Sequence, residues 1–154
     1  MRRLALIPLL AVLAACGSDD TGPDAPDIAT TTFAPSLGID LTQMTKTATG
    51  LYWRDLSVGT GATVTVGVQA SVRYTGWLAD GTQFDSNVGA ASPFRFTVGG
   101  GGTIAGFDEG VRGMRVGGQR QIIIPPSLGY GASGQGVIPG NAILVFRIEL
   151  VAVQ

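Results

Sequence analysis

Few side chains in this sequence can do covalent chemistry. It holds no histidine and one cysteine, Cys16. A Ser-His-Asp triad, a Cys-His nucleophile and a zinc site made of histidines or several cysteines are therefore excluded. A metal held by carboxylates alone needs clustered acids, and the acids from Asp55 to Glu149 are scattered. Gly100-Gly101-Gly102-Thr103-Ile104-Ala105 formally fits the G-x-G-x-x-A loop of dinucleotide sites. That loop needs an acid about 20 residues further on to hold the ribose, and no Asp or Glu stands between Glu109 and Glu149. What remains are groups that bind and polarise without forming bonds: aromatic rings, backbone amides, tyrosine hydroxyls and Asp85. No cofactor and no metal are expected.

Cys16 has its own context. Met1-Arg2-Arg3 is positive, and Leu4 to Ala15 is an apolar run of twelve residues, too short to span a bilayer core of ~30 Å. This is the form of a secretory signal peptide. It ends in Leu13-Ala14-Ala15-Cys16-Gly17, which resembles the bacterial lipobox. The resemblance implies cleavage before Cys16, acylation of its thiol and a membrane anchor in the cell envelope. Gly17 fits sorting to an outer membrane where the cell has one. Loss of residues 1–15 removes Arg2 and Arg3 and leaves eight basic residues against eleven acids, net −3. Ser18 to Pro26 is polar, acidic and breaker-rich, as a tether is. Residues 27–48 show no sustained period and read as linker with one ordered turn. The expected division is 1–15 signal peptide, 16–48 lipidated tether and linker, and 49–154 one folded domain.

Composition agrees with one packed domain. The chain has 154 residues, 45% hydrophobic and 14% charged, enough for a single core. Its 24 glycines follow no Gly-X-Y period, which excludes collagen and favours a turn-rich fold. A net charge of −1 without a long basic run argues against nucleic-acid binding.

The strongest periodicity begins at Val64. Val64, Val66, Val68, Ala70, Val72, Tyr74, Gly76 and Leu78 share one parity, and polar residues fill the other. Period two over this length predicts a strand with one face on a core. Asp80-Gly81 then predicts a tight hairpin with positive φ at both central residues. Ala142, Leu144, Phe146, Ile148 and Leu150 repeat the alternation, and 51–56, 94–98 and 119–124 are further strand candidates. Phe107, Val111 and Met114 at i, i+4 and i+7 predict one helix, with Asp108 and Glu109 in its first turn and Arg112 and Arg115 in its last. Gly117-Gly118 should end it, and Gly106, Gly110 and Gly113 would let a sheet approach closely. The expected class is α+β, a mostly antiparallel sheet of about five strands wrapped around one short helix.

Read in order, Val72-Arg73-Tyr74-Thr75-Gly76-Trp77-Leu78, Asp80-Gly81-Thr82-Gln83-Phe84-Asp85-Ser86, Pro93-Phe94-Arg95-Phe96, Ile104-Ala105-Gly106-Phe107-Asp108-Glu109-Gly110-Val111, Ile124-Pro125-Pro126, Tyr130-Gly131 and Ile138-Pro139 resemble the FKBP-type peptidyl-prolyl cis-trans isomerases. The resemblance covers residues 49–154. It implies an apolar pocket between sheet and helix that accepts proline from polypeptide clients. Tyr74, Phe84, Phe94, Ile104, Phe107, Tyr130, Ile138 and Phe146 would line it, with Phe107 as floor, Asp85 at the edge and Thr103 beside Ile104. The Ile104 N–H and the Tyr130 hydroxyl would donate to client carbonyls. Without the resemblance, each aromatic reads more simply as core, Phe96 and Phe146 above all. Phe107 stands where many relatives have tryptophan, Thr103 where valine is usual and Gln135 where some have histidine. These departures bear on macrolide ligands such as rapamycin and on client preference. The short stretch from Tyr130 to Phe146 leaves no room for an inserted chaperone domain. The implied protein is a monomer that rotates X-Pro bonds without covalent chemistry. Its rival is a tethered proline-binding holdase or adaptor with little turnover.

Overall fold

A computed structural model describes residues 25–154. Cys16, the apolar run before it and most of the acidic tether lie outside them. Seven strands form one antiparallel sheet: β1 Thr45–Lys46, β2 Tyr52–Ser57, β3 Gln69–Leu78, β4 Gln83–Ser86, β5 Phe94–Thr97, β6 Gln119–Ile124 and β7 Leu144–Val153. Their order is β1-β2-β6-β7-β3-β4, with β5 also on β3. One helix, α1 Ala105–Val111, packs on the inner face. The class is the expected one, and the additions to the strand count are short pieces, β1 and β4.

Period two holds where the strands run. Ala70 and Val72 on β3 and Leu144, Phe146, Ile148 and Leu150 on β7 point inward and are almost fully buried. The first strand is shorter than its alternation suggests. Val66 is 63% exposed, and the chain turns at Gly67, whose φ is +91°, so the ladder begins only at Gln69. The Asp80 hairpin forms with a different turn. Only Gly81 takes positive φ, +88°, and the Asp80 carboxylate accepts from the Thr82 N–H at 2.8 Å. The Thr82 amide and hydroxyl hold its carboxyl below the usual range.

The helix ends earlier than its spacing predicts. Arg112 already has extended backbone, with ψ 137°. Met114 is buried but lies beyond the helix, and Arg115 is not in a last turn. The terminal carbonyls are taken by Arg120 of β6, whose Nη1 donates to Gly110 O at 3.1 Å and Arg112 O at 2.8 Å. Arg120 is 4% exposed, paired with Asp55 at 2.7 Å and set over the Trp53 ring at 4.1 Å. A buried guanidinium with this many partners supplies the cation a helix C-terminus favours. Gly106 and Gly110 do admit the sheet: a Cβ there would meet Ile124 at 2.4 Å and Ile122 at 2.7 Å. Gly113 has open space around it and plays no such part.

Residues 27–46 differ most from expectation. They are not a linker with one turn. Three 3-10 turns, Ile28–Thr30, Pro35–Leu37 and Leu41–Gln43, lead into β1. Ile28 and Leu37 are buried at 2% and 3% exposure, and they pack on Tyr52, Ile123, Ile143 and Val145 of the outer sheet face. The fully buried Gln121 donates to Leu37 O at 2.8 Å, joined there by Arg147 at 3.2 Å. Arg54 donates to Gly38 O at 2.6 Å. The sequence signal was the unbroken apolar runs Ile122-Ile123-Ile124 and Ile143 to Phe146. Strands that bury both faces read this way.

Candidate functional site

The inner face does not close over its aromatic residues. Tyr74 comes from β3, Phe84 and Asp85 from β4, Phe94 from the start of β5, Phe107 from α1 and Phe146 from β7. Tyr130 lies between two further 3-10 turns, Pro126–Leu128 and Gly131–Ser133. Together with Gly102, Thr103 and Ile104 they line a cavity of about 160 Å3. Phe107, 4% exposed, lies at its base. Its ring meets Phe146 at 5.2 Å, Tyr74 at 5.5 Å and Phe96 at 5.7 Å, all edge to face. Phe84 meets Phe146 at 5.4 Å in the same manner. Such pairs favour edge-to-face geometry because ring edges are positive and faces negative. The result is a rigid apolar wall.

Two residues that the sequence does not assign to the site shape this wall. Gly76 leaves room for the rings, since a Cβ there would sit 2.6 Å from Phe84 and 2.7 Å from Phe146. Asn87 secures β3 by accepting from the Tyr74 N–H at 2.7 Å and donating to Val72 O at 3.0 Å. Neither carries a sequence pattern that marks such a role before the strands are paired.

Polar groups stand at the rim. The Tyr74 hydroxyl donates to Asp85 Oδ2 at 2.7 Å. Burial, and then the bond to the Asp85 carboxylate, push the Tyr74 hydroxyl above the usual phenol range. The Ile104 N–H stands at the N-cap of α1, where first-turn amides have no intrahelical partner. Neither this amide nor the Tyr130 hydroxyl is engaged by another group among the described residues. Ile138 is not at the cavity. It is 7% exposed within the main core, and its backbone pairs with Gln135 at 2.9 Å in both directions. Phe96 is likewise core, stacked on Phe94 at 5.6 Å. A larger cleft of about 440 Å3 lies elsewhere, between residues 25–28 and the Pro125–Ser127 turn.

The family model for FKBP-type peptidyl-prolyl cis-trans isomerase matches residues 61–151. The chain belongs to this family. Every residue of the 160 Å3 cavity lies inside the matched stretch, and the packed segment 27–46 lies outside it. Among relatives of this FKBP-type chain, an FK506-binding protein of Neisseria meningitidis serogroup B is 47% identical over 105 residues, 68% of this chain and 96% of the relative. FK506-binding protein 2 of Dictyostelium discoideum is 50% identical over 89 residues, 57% of this chain and 67% of the relative. The crystal structure of FkpA from Escherichia coli superposes with a TM-score of 0.67 at 34% identity, covering 73% of this chain and 52% of that one. AtFKBP13 gives 0.67 at 32% identity, with 72% and 98% covered. The FKBP-type chain is thus a peptidyl-prolyl cis-trans isomerase.

Proposed function

We propose that this isomerase works at the cell envelope on exported polypeptides, held to a membrane by lipid on Cys16, and that its aromatic cavity is the catalytic site. The observation that carries the site is an apolar cavity with two unengaged donors, the Ile104 N–H and the Tyr130 hydroxyl, at its rim. Rotation about an X-Pro bond takes tens to hundreds of seconds unaided, over a barrier of ~18–20 kcal/mol set by amide resonance. No bond breaks, so no nucleophile is required. A proline ring seated on Phe107 takes the amide out of water. The planar amide is more polar than the twisted one and loses more by that transfer. The two donors hold carbonyls on either side of the bond in positions that favour the twisted form. Tyr74, donating to Asp85, fixes the edge; Phe84, Phe94 and Phe146 form the walls. Ile138 supports the Tyr130 loop from the core. Macrolides such as rapamycin would occupy the same cavity, and the domain acts as a monomer.

Turnover of a proline peptide by the mature chain, followed in a protease-coupled assay, tests the catalytic reading. Proline-peptide binding without turnover would favour the holdase instead. Intact mass of the native protein tests the anchor: a chain starting at an acylated Cys16 is expected, and an unmodified Cys16 or another start would end that part.

A further inference from the structure

Four consecutive glycines, Gly99 to Gly102, form the lip between β5 and α1. Backbone conformation accounts for Gly99 and Gly101, with φ of +80° and +73°. It does not account for Gly102, which lacks positive φ and where a Cβ would meet no atom within 4 Å. Gly102 lines the proline cavity and leaves its lip bare. Next to it, Thr103 lines both that cavity and a second recess of about 300 Å3 bounded by Gly101, Asp108, Glu109 and Arg112. Among the described residues, Thr103 Oγ1 is the one buried side-chain polar atom without a hydrogen-bond partner. Buried polar atoms are almost always paired, and an exception calls for a reason.

The charges in the recess do not cancel. Asp108 is neutralised by Arg112 at 2.6 Å, and its other oxygen accepts from the Gly99 N–H at 2.6 Å. Glu109 meets no cation among the described residues. Its two oxygens share the single hydroxyl proton of Thr49, at 2.7 and 2.9 Å. The recess therefore keeps one unopposed negative charge, a short step across Thr103 from the proline cavity.

We propose that a client chain leaves the cavity over the bare lip at Gly102 and places a lysine or arginine that flanks its proline in the recess, against Glu109. Thr103 turns its hydroxyl to a backbone polar atom of the passing chain. This rests on the isomerase reading of the cavity and adds a charge preference to it. The experiment is a set of X-Pro peptides that carry Lys, Gln or Glu at successive positions on each side of the bond, with exchange rates read by NMR. At one flanking position the Lys peptide should exceed the Glu peptide in kcat/KM by about fivefold at low salt, the scale of one exposed ion pair gained and one repulsion avoided. Added salt should shrink the ratio. Glu109→Gln keeps the bond from Thr49, so it should erase the preference while the Gln peptide reacts at the wild-type rate; Glu109→Lys should invert it. Equal rates for Lys and Glu peptides at every position, or a preference that survives Glu109→Gln, would overturn the proposal. Failure of the isomerase reading looks different, since then no peptide would be turned over.

Discussion

The two faces of the sheet bury similar kinds of residue to opposite ends. On the inner face, Tyr74, Phe107 and Phe146 pack edge to face yet leave a cavity of about 160 Å3 between them. On the outer face, Tyr52, Ile123, Ile143 and Val145 are covered by the chain's own segment, with Ile28 and Leu37 pressed onto them. Backbone carbonyls on the outer face are met by Gln121, Arg54 and Arg147. Donors on the inner face, the Ile104 N–H and the Tyr130 hydroxyl, are left unmet. One face is finished by the protein itself, and the other is finished only by a ligand. Unsatisfied groups at the open face are what selective binding requires; at the closed face they would only weaken the fold.

This contrast can be broken most severely from the outside. Removing residues 25–46 should cost more stability than any single substitution below, because it bares four buried apolar side chains and the carbonyl clamp together. Thermal unfolding of residues 47–154 beside 25–154 measures it, and equal midpoints would show that the covering segment is ornament. Phe107→Ala should lower stability by ~3–5 kcal/mol and also abolish most turnover, since it removes the cavity floor. Gln121→Ala should cost about 1–3 kcal/mol, the scale of a lost buried hydrogen-bonding group, with kcat/KM unchanged for the folded fraction. The pair separates the faces: chemical denaturation and kinetics should move together for Phe107 and apart for Gln121. Tyr130→Phe keeps the shape and deletes one donor, so kcat/KM should fall by about tenfold or less, the worth of ~0.5–1.5 kcal/mol, with little change in stability.

The smallest expected effect is of pH. With no histidine in the chain and no proton transfer in the mechanism, kcat/KM should be flat from about pH 6 to about pH 9, using a peptide that does not titrate. Tyr74 sets the alkaline limit. Its folded pKa is raised, so the native state holds that proton more tightly than the unfolded chain does. The associated stability is complete below the ordinary phenol value of ~10 and is lost as pH climbs from there towards the folded value. A bell centred near neutrality, with a solvent isotope effect, would contradict the mechanism.

The inner face was largely legible in the sequence, and the outer face was not. Alternation marks a strand with one buried side, so 142–150 could be read directly; 119–124 was legible from its unbroken apolar end instead. The ordered aromatic and glycine motifs brought nine of the ten lining residues to attention, with Gly102 noticed only as part of a misleading fingerprint. Ile138 was assigned to the cavity and sits in the core, because apolar residues beside a pocket and behind it have the same composition. The helix was read too long, since Met114 continues the period although Arg112 has already left the helical backbone. Segment 27–46 escaped because 3-10 turns have no long period. Its two anchors, Ile28 and Leu37, are nine residues apart. Apart from Tyr52, their partners Ile123, Ile143 and Val145 lie 86 to 117 residues away, and only the folded sheet brings them together.

The docking of that segment would also limit how far the enzyme travels under the proposed anchor on Cys16. Had the chain been free up to residue 48, a lipid on Cys16 would leave 33 residues of slack, a contour of roughly 110 Å at ~3.3–3.6 Å per residue. With Ile28 the first residue packed on the sheet, the proposed anchor on Cys16 would be followed by only the twelve residues 16–27, which whatever their conformation span no more than about 40 Å. Because the volume swept by a tethered body grows as the cube of its reach, the enzyme would patrol a space roughly twenty times smaller than the longer leash allows. Under the proposed anchor it would be a surface inspector, meeting clients close to the bilayer rather than throughout the compartment.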